Sequence, residues 1–204
     1  MNEAAIESEQ TTKKHSWQLT AIIAVTLVPL IAAYVAYYTG IGVPDETVNE
    51  GVLVEPAINV KDLIVNAGGE APSFEHNRLW RLFIPVPSDC DAACENNLFV
   101  TRQVHLRLGE KAARVERYAV LLDQTGEQRM SQLKEDHPRL KFFQVSSQQY
   151  REWLAPTNVP AMASKHQYML VDQLGFAMMV YSEENDGNQL LKDIKRVLRY
   201  SPED

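Results

Sequence analysis

The sequence predicts an α/β protein: a mixed sheet flanked by helices, preceded by one N-terminal transmembrane helix. Three observations carry this. A run of twenty residues from Leu19 to Tyr38 holds no charge. Beyond it, strand-like and helix-like segments alternate. The chain then closes with a hairpin pattern and an amphipathic helix.

The apolar run reads LTAIIAVTLVPLIAAYVAYY. At ~1.5 Å rise per residue, about 20 helical residues span the ~30 Å of a hydrocarbon core. Trp17 stands at one end, and Tyr34, Tyr37 and Tyr38 at the other, as interfacial aromatics do. Pro29 sits mid-span, which membrane helices tolerate. The alternative is a cleaved signal peptide. The run exceeds a typical signal h-region, and no clear A-x-A site follows it, so an uncleaved anchor is expected. Lys13 and Lys14 precede the span, whereas Asp45, Glu46 and Glu50 follow it. The positive-inside rule then puts residues 1–16 in the cytoplasm and the chain after 39 outside. The first ten residues carry Glu3, Glu7 and Glu9 and no Arg or Lys, unlike a mitochondrial presequence. A bacterial inner membrane with a periplasmic domain fits this pattern. The expected organisation is a tail over 1–16, a transmembrane helix over 17–39, a polar linker over 40–50 and one external domain over 51–204.

Within that domain, 51–65 (GVLVEPAINVKDLIV) reads as extended, because Pro56 breaks a helix. Gly68, Gly69 and Pro72 mark a loop. Strands are expected over 80–86, 115–122 and 140–145, with helices over 92–108, 127–135 and 147–154. Two further strands, 168–171 and 176–181, flank the turn Asp172-Gln-Leu-Gly175. Leu190, Leu191, Ile194, Val197 and Leu198 then follow helical spacing. Such an order implies right-handed crossovers between the early strands and an antiparallel edge made by the hairpin.

Composition excludes several functions. The 204 residues include 27 Asp and Glu against 20 Lys and Arg, a formal charge of −7. No basic block or stripe offers itself to nucleic acid, which needs clustered cations to displace counterions. Two cysteines are too few for a disulfide-stapled mini-domain or a four-thiolate zinc site. There is no Gly-rich phosphate loop, H-E-x-x-H or nucleophile elbow.

The two cysteines, Cys90 and Cys94, lie in PSDCDAACENN, after the first long strand and at the start of its helix. Sites in such sheets favour the carboxyl ends of strands. Residues i and i+4 of a regular helix hold their Cβ atoms ~5–6 Å apart, while a disulfide wants ~3.5–4.5 Å. The pair can therefore oxidise only if Cys90 sits in the turn before the helix. Two thiolates at ~2.3 Å from one ion in trigonal geometry need sulfurs roughly 4 Å apart, which the same turn can supply. The helix N-terminus favours thiolates, and Asp89, Asp91 and Glu95 oppose them while attracting a cation. Soft thiolates select Cu(I).

An apolar anchor, the segment WRLFIPVPSDCDAAC, then MLVDQLG and a closing amphipathic helix together resemble the Sco/SenC family of copper-delivery proteins. The resemblance covers roughly residues 50–200 and implies a thioredoxin-like fold. It further implies Cu(I) bound by both cysteines and a distal histidine, and delivery to the CuA site of cytochrome c oxidase. The partners so implied are oxidase subunit II or other assembly factors, beside the lipid bilayer. Cys90 and Cys94 carry over directly. The histidine would be His166, in SKHQYMLVDQLG, about two residues nearer Asp172 than the family's spacing. An even offset keeps the same strand face; an ordinary surface histidine is the other reading. The family's proline after the first cysteine is Asp91 here, and the loop after the second strand (LLDQTGEQ) is shorter. The chain thus reads as a divergent member.

Two other functions stay open: a periplasmic thiol–disulfide oxidoreductase using Cys90 and Cys94, and a structural assembly factor without metal chemistry. His105 lies eleven residues beyond Cys94 on one helix, ~16 Å away, so it cannot share a metal with the pair. It reads as a helix-face residue, His76 and His137 as loop residues, and His15 as a membrane flank. Met162 is a distant candidate thioether, Met178 and Met179 read as core, and Val159-Pro160 faintly resembles the proline facing a thioredoxin dithiol.

Overall fold

The computed structural model describes residues 3–40, 48–65, 67–74, 78–159 and 167–201. They form two compact units, Met1–Val48 and Asn49–Asp204.

In the first unit, α1 runs over Glu3–Thr39, and its part Thr20–Thr39 is long and apolar enough to cross a membrane. Two of its threonines bond to carbonyls within the helix. The Thr26 hydroxyl donates to the carbonyls of Ile22 and Ile23, at 3.1 and 2.9 Å, and Thr39 donates to Val35 at 2.7 Å. Such back-bonding suits a medium without water.

The second unit is a seven-stranded mixed sheet in the order β1 (Val52–Leu53), β7 (Ala177–Tyr181), β6 (Tyr168–Val171), β3 (Trp80–Val86), β4 (Val115–Leu122), β5 (Leu140–Val145), β2 (Gly68–Gly69). Its centre is β3 (Trp80–Val86), parallel to β4 (Val115–Leu122), which is parallel to β5 (Leu140–Val145). On the other side, β6 (Tyr168–Val171) runs antiparallel to β3, and β7 (Ala177–Tyr181) antiparallel to β6. The right-handed crossovers place α3 (Ala92–Arg107) and α4 (Glu127–Asp136) on the face that also receives α6 (Gly187–Tyr200). The opposite face holds α2 (Val60–Ile64) and α5 (Ser147–Leu154).

Strand alternation sorts the two cores. Leu82, Ile84 and Val86 of β3 face Leu98, Leu190 and Ile194. Phe83 faces the other way, against Tyr118 and Phe143 at ring distances of 5.6 and 5.3 Å. Every residue of β3 is buried, as a central strand covered on both faces requires. Pro85 cannot donate to a ladder, and it lies beyond Phe83, the last β3 residue paired with β6. Arg81, also buried, donates to the carbonyls of Leu79 and Ser73 and stands 4.2 Å from the Phe74 ring.

The structure corrects three expectations. The stretch 51–65 is extended at β1 (Val52–Leu53) and at Asn59, which bridges Phe176, but Val60–Ile64 is helical. The Asn59 side chain starts that helix by accepting the Lys61 N–H at 2.9 Å. Gly68 and Gly69 form β2, paired antiparallel with Gln144 and Phe143 of β5. The hairpin is therefore not the edge, because β1 pairs beyond β7.

The hairpin turn follows its sequence. Asp172 Oδ1 accepts the N–H groups of Leu174 and Phe176 at 2.9 and 2.8 Å, and Gly175 takes φ +97°. A Cβ there would meet Asn59 Oδ1 at 3.0 Å. Gly175→Ala is expected to cost about 1–3 kcal/mol, read from the urea midpoint. An unchanged midpoint would show that the turn relaxes freely.

Candidate functional site

β3 ends at Val86, a turn over Ser88 and Asp89 follows, and Asp91 caps α3. Cys90 thus sits just outside the helix and Cys94 in its first turn. This is the arrangement in which the pair can bond, and it does: the two sulfurs form a disulfide, with Cα atoms 5.3 Å apart. Cys94 is fully buried among Leu82, Ile84 and Leu98. Cys90 packs on the same cluster but is only partly buried. Cys90 is therefore the more exposed of the two, and Cys94 is backed by the core.

The electrostatics turn on Asp91. Its Oδ1 accepts the N–H groups of Ala93 and Cys94, both at 3.0 Å, and its carbonyl accepts the Glu95 N–H at 3.0 Å. These donors are the ones a thiolate would use at a helix N-terminus. Here a carboxylate already takes them. Glu95 is engaged by Arg129 of α4. With its like charge beside the sulfurs and its hold on the amides, Asp91 disfavours free thiolates.

Asp91→Ala is therefore expected to do two things. Helix stability falls by about 1 kcal/mol through loss of the cap. The Cys90 thiol becomes more acidic and the reduction potential rises by about 30 mV, as expected when the reduced form is stabilised by about 1.4 kcal/mol. Glutathione equilibration and pH-dependent alkylation read both effects, and a fall in potential would refute this role for Asp91.

His166 lies outside the described residues, as do Met162, Pro160 and His76. Among the described residues, no group of three His, Cys, Asp or Glu side chains is arranged to hold a metal. The two cysteines supply the soft donors that Cu(I) needs once the disulfide is reduced. His105 points inward: it is buried, its Nε2 is 2.8 Å from the Val115 carbonyl, and burial lowers its pKa. His137 is also buried, at the end of α4. Met179 is buried in the core and Met178 is partly buried against it. The capping role of Asp91 was legible as an Asx residue before a helical segment, but in sequence its charge drew attention first.

Solved structures match this fold. Yeast Sco1 with copper bound is 12% identical, with 78% of this chain and 97% of that one aligned at a TM-score of 0.52. Arabidopsis thaliana ScoI with copper bound is 13% identical, over 76% and 100% of the two chains, at 0.49. A thiol:disulfide interchange protein from Bacteroides sp. is 16% identical, over 73% and 90%, at 0.47. At these identities the likeness is one of fold, and the Sco-like, thioredoxin-like fold read from the sequence is the fold found. No curated protein sequence matches the chain. Residues 80–201 match the family model described as "Transmembrane-like, thioredoxin-like, C-terminal domain". That match takes in β3, both cysteines and everything through α6, and the chain belongs to this transmembrane-like, thioredoxin-like family.

Proposed function

We propose that the chain is a membrane-anchored, Sco-like assembly factor. In this reading Cys90 and Cys94, once reduced, bind one Cu(I) ion as cargo for the CuA site of cytochrome c oxidase. The observation that carries it is the C-x-x-x-C pair itself: sulfurs close enough to bond, one on a partly exposed residue, at a helix start where Asp91 already takes two of the amides. The disulfide there is a weak oxidant, and the dithiol is a good soft-metal clasp, because Cu(I) can displace the two thiol protons. The yeast Sco1 structure, with copper bound, lends the fold-level parallel.

His166 completes the ligand set in this reading. It requires the segment before β6 to bring an imidazole to the sulfurs. Membrane residence follows from α1, with residues 1–16 in the cytoplasm and the domain from 51 onward in the periplasm of a bacterial inner membrane. Oxidase subunit II is the expected client, and transfer proceeds by ligand exchange.

The bonded sulfurs favour a second reading, thiol–disulfide exchange. The reduced pair would pass two electrons and two protons to a client disulfide, leaving the Cys90–Cys94 bond and a client dithiol. One experiment separates the two. The reduced full-length chain, in detergent, is mixed without oxygen with a copper-free oxidase CuA domain. With Cu(I) preloaded, the delivery reading expects copper to move to that domain. Without copper, the exchange reading expects the client disulfide to open. His166→Ala is expected to weaken Cu(I) retention by about 10-fold or more and to leave disulfide exchange intact. Unchanged copper retention would remove His166 from the site.

A further inference from the structure

We propose that the hollow between α3, β4 and the end of α4 is a binding site for a small phosphate-type oxoanion. It is built by Arg102 and His105 of α3, Arg117 of β4, and His137 and Arg139 beyond α4, around a cavity of about 160 Å³. Five basic side chains converge there, in a chain whose net charge is −7.

Arg117 is the core of the inference. It is 98% buried, from its 2% exposure, and pairs with no carboxylate among the described residues. One terminal nitrogen donates to the Leu98 carbonyl at 2.8 Å and to the Thr101 hydroxyl at 2.9 Å. Its Nε has no partner, and neither does Nδ1 of the buried His137. A buried guanidinium is costly without a counter-charge, and an unmet buried donor adds to the cost. Burial and then the like charge of Arg102 pull Arg117 down to about 10. His137 is held low by burial and then by Arg117 and Arg102.

The nearby carboxylates do not relieve this. Glu116 faces the adjoining hollow, where Lys141 holds it at 2.6 Å and Arg81 lies at 3.6 Å. Glu95 is taken by Arg129. Asp136 and Glu95 act on His137, but among the described residues no carboxylate acts on Arg117, so an anion from solution would supply its missing counter-charge. Exposed Arg102 and Arg139 form the rim, and Arg117 with the two histidines forms the floor. A hollow of about 160 Å³ has room for one tetrahedral oxoanion. Arginine forks match such oxygens in pairs.

The site is independent of the cysteines, and its test uses the full-length chain in detergent. Inorganic phosphate and, separately, glycerol 3-phosphate are titrated at constant ionic strength set with chloride, following the 31P signal. Saturable binding of phosphate is expected, weakened about tenfold or more in Arg102→Gln/Arg139→Gln, which removes two charge-assisted rim contacts without touching the core. Arg117→Met is expected to abolish binding while keeping the fold, checked by circular dichroism. Equal binding of the monoester would point to a phosphoryl group on a larger molecule, and binding of phosphate alone to the free ion; both support the site. No saturable binding up to about 20 mM, or equal affinity in wild type and the rim variant, would overturn it.

Discussion

Replacing Cys90 and Cys94 together by serine is expected to lower Cu(I) affinity by well over about a hundredfold, measured against a competing chelator. Loss of groups that merely support metal ligands costs about 10–100-fold, and loss of the ligands themselves costs more. A hydroxyl is a hard, poorly acidic donor and cannot replace a thiolate on a soft ion. The two positions differ in their structural cost. Cys90 is partly exposed, so a serine there is tolerated. Cys94 is fully buried, so a serine there must bury a hydroxyl, at about 1–3 kcal/mol. Cys90→Ser alone therefore gives the cleaner loss of binding, with thermal unfolding close to that of the reduced wild type. Copper retention equal to wild type in the double variant would remove the cysteines from any metal chemistry.

The second large effect is structural. Asp193→Ala is expected to destabilise the second unit by about 2–4 kcal/mol, read from its urea midpoint. Asp193 is buried on α6, and its Oδ2 accepts three donors: the N–H groups of Glu50 and Gly51, at 2.9 and 3.1 Å, and the Tyr181 hydroxyl at 3.1 Å. Removing the carboxylate leaves all three without it. Burial and then the Asp193 charge push the Tyr181 phenol upward, so it acts as a donor throughout the ordinary pH range. Gly51 belongs to the same joint, because a Cβ there would lie 2.8 Å from the Tyr181 ring. Tyr181→Phe is expected to cost less, about 1 kcal/mol, because Asp193 keeps its two backbone donors. The double variant should fall short of the sum, since both changes break the same network. A shift below about 0.5 kcal/mol for Asp193→Ala would mean that this joint does not hold the leading segment to α6.

The sequence showed most of the sheet and little of its margins. β3, β4 and β5 are apolar runs bounded by turn residues, and α6 carries a full amphipathic stripe, so each element declares itself locally. The five residues of α2 are too few to show a period, and Pro56 nearby spoke for extension. Only Asn59, a good cap, hinted at a helix. β1 and β2 are two-residue strands that exist because a partner strand passes by, which no local pattern records. The position of the cysteine pair is legible in the sequence, because the strand before it and the helix after it are both strong local patterns. Its chemistry was less so: Asp91 was seen as a charge near sulfur and proved also to be the cap that occupies the amides. Arg117 was hidden inside the run VERYAVLL. Its parity with Val115, Ala119 and Leu121 was the available signal that it points to the α3 face.

The central claim is that one pair of sulfurs alternates between a bond to each other and a shared hold on copper. A Cu(I) competition titration of the same full-length chain, prepared once as the dithiol and once as the disulfide, tests this most directly. The dithiol should retain one equivalent against the chelator and the disulfide none. Equal retention by both forms, or by neither, would contradict it.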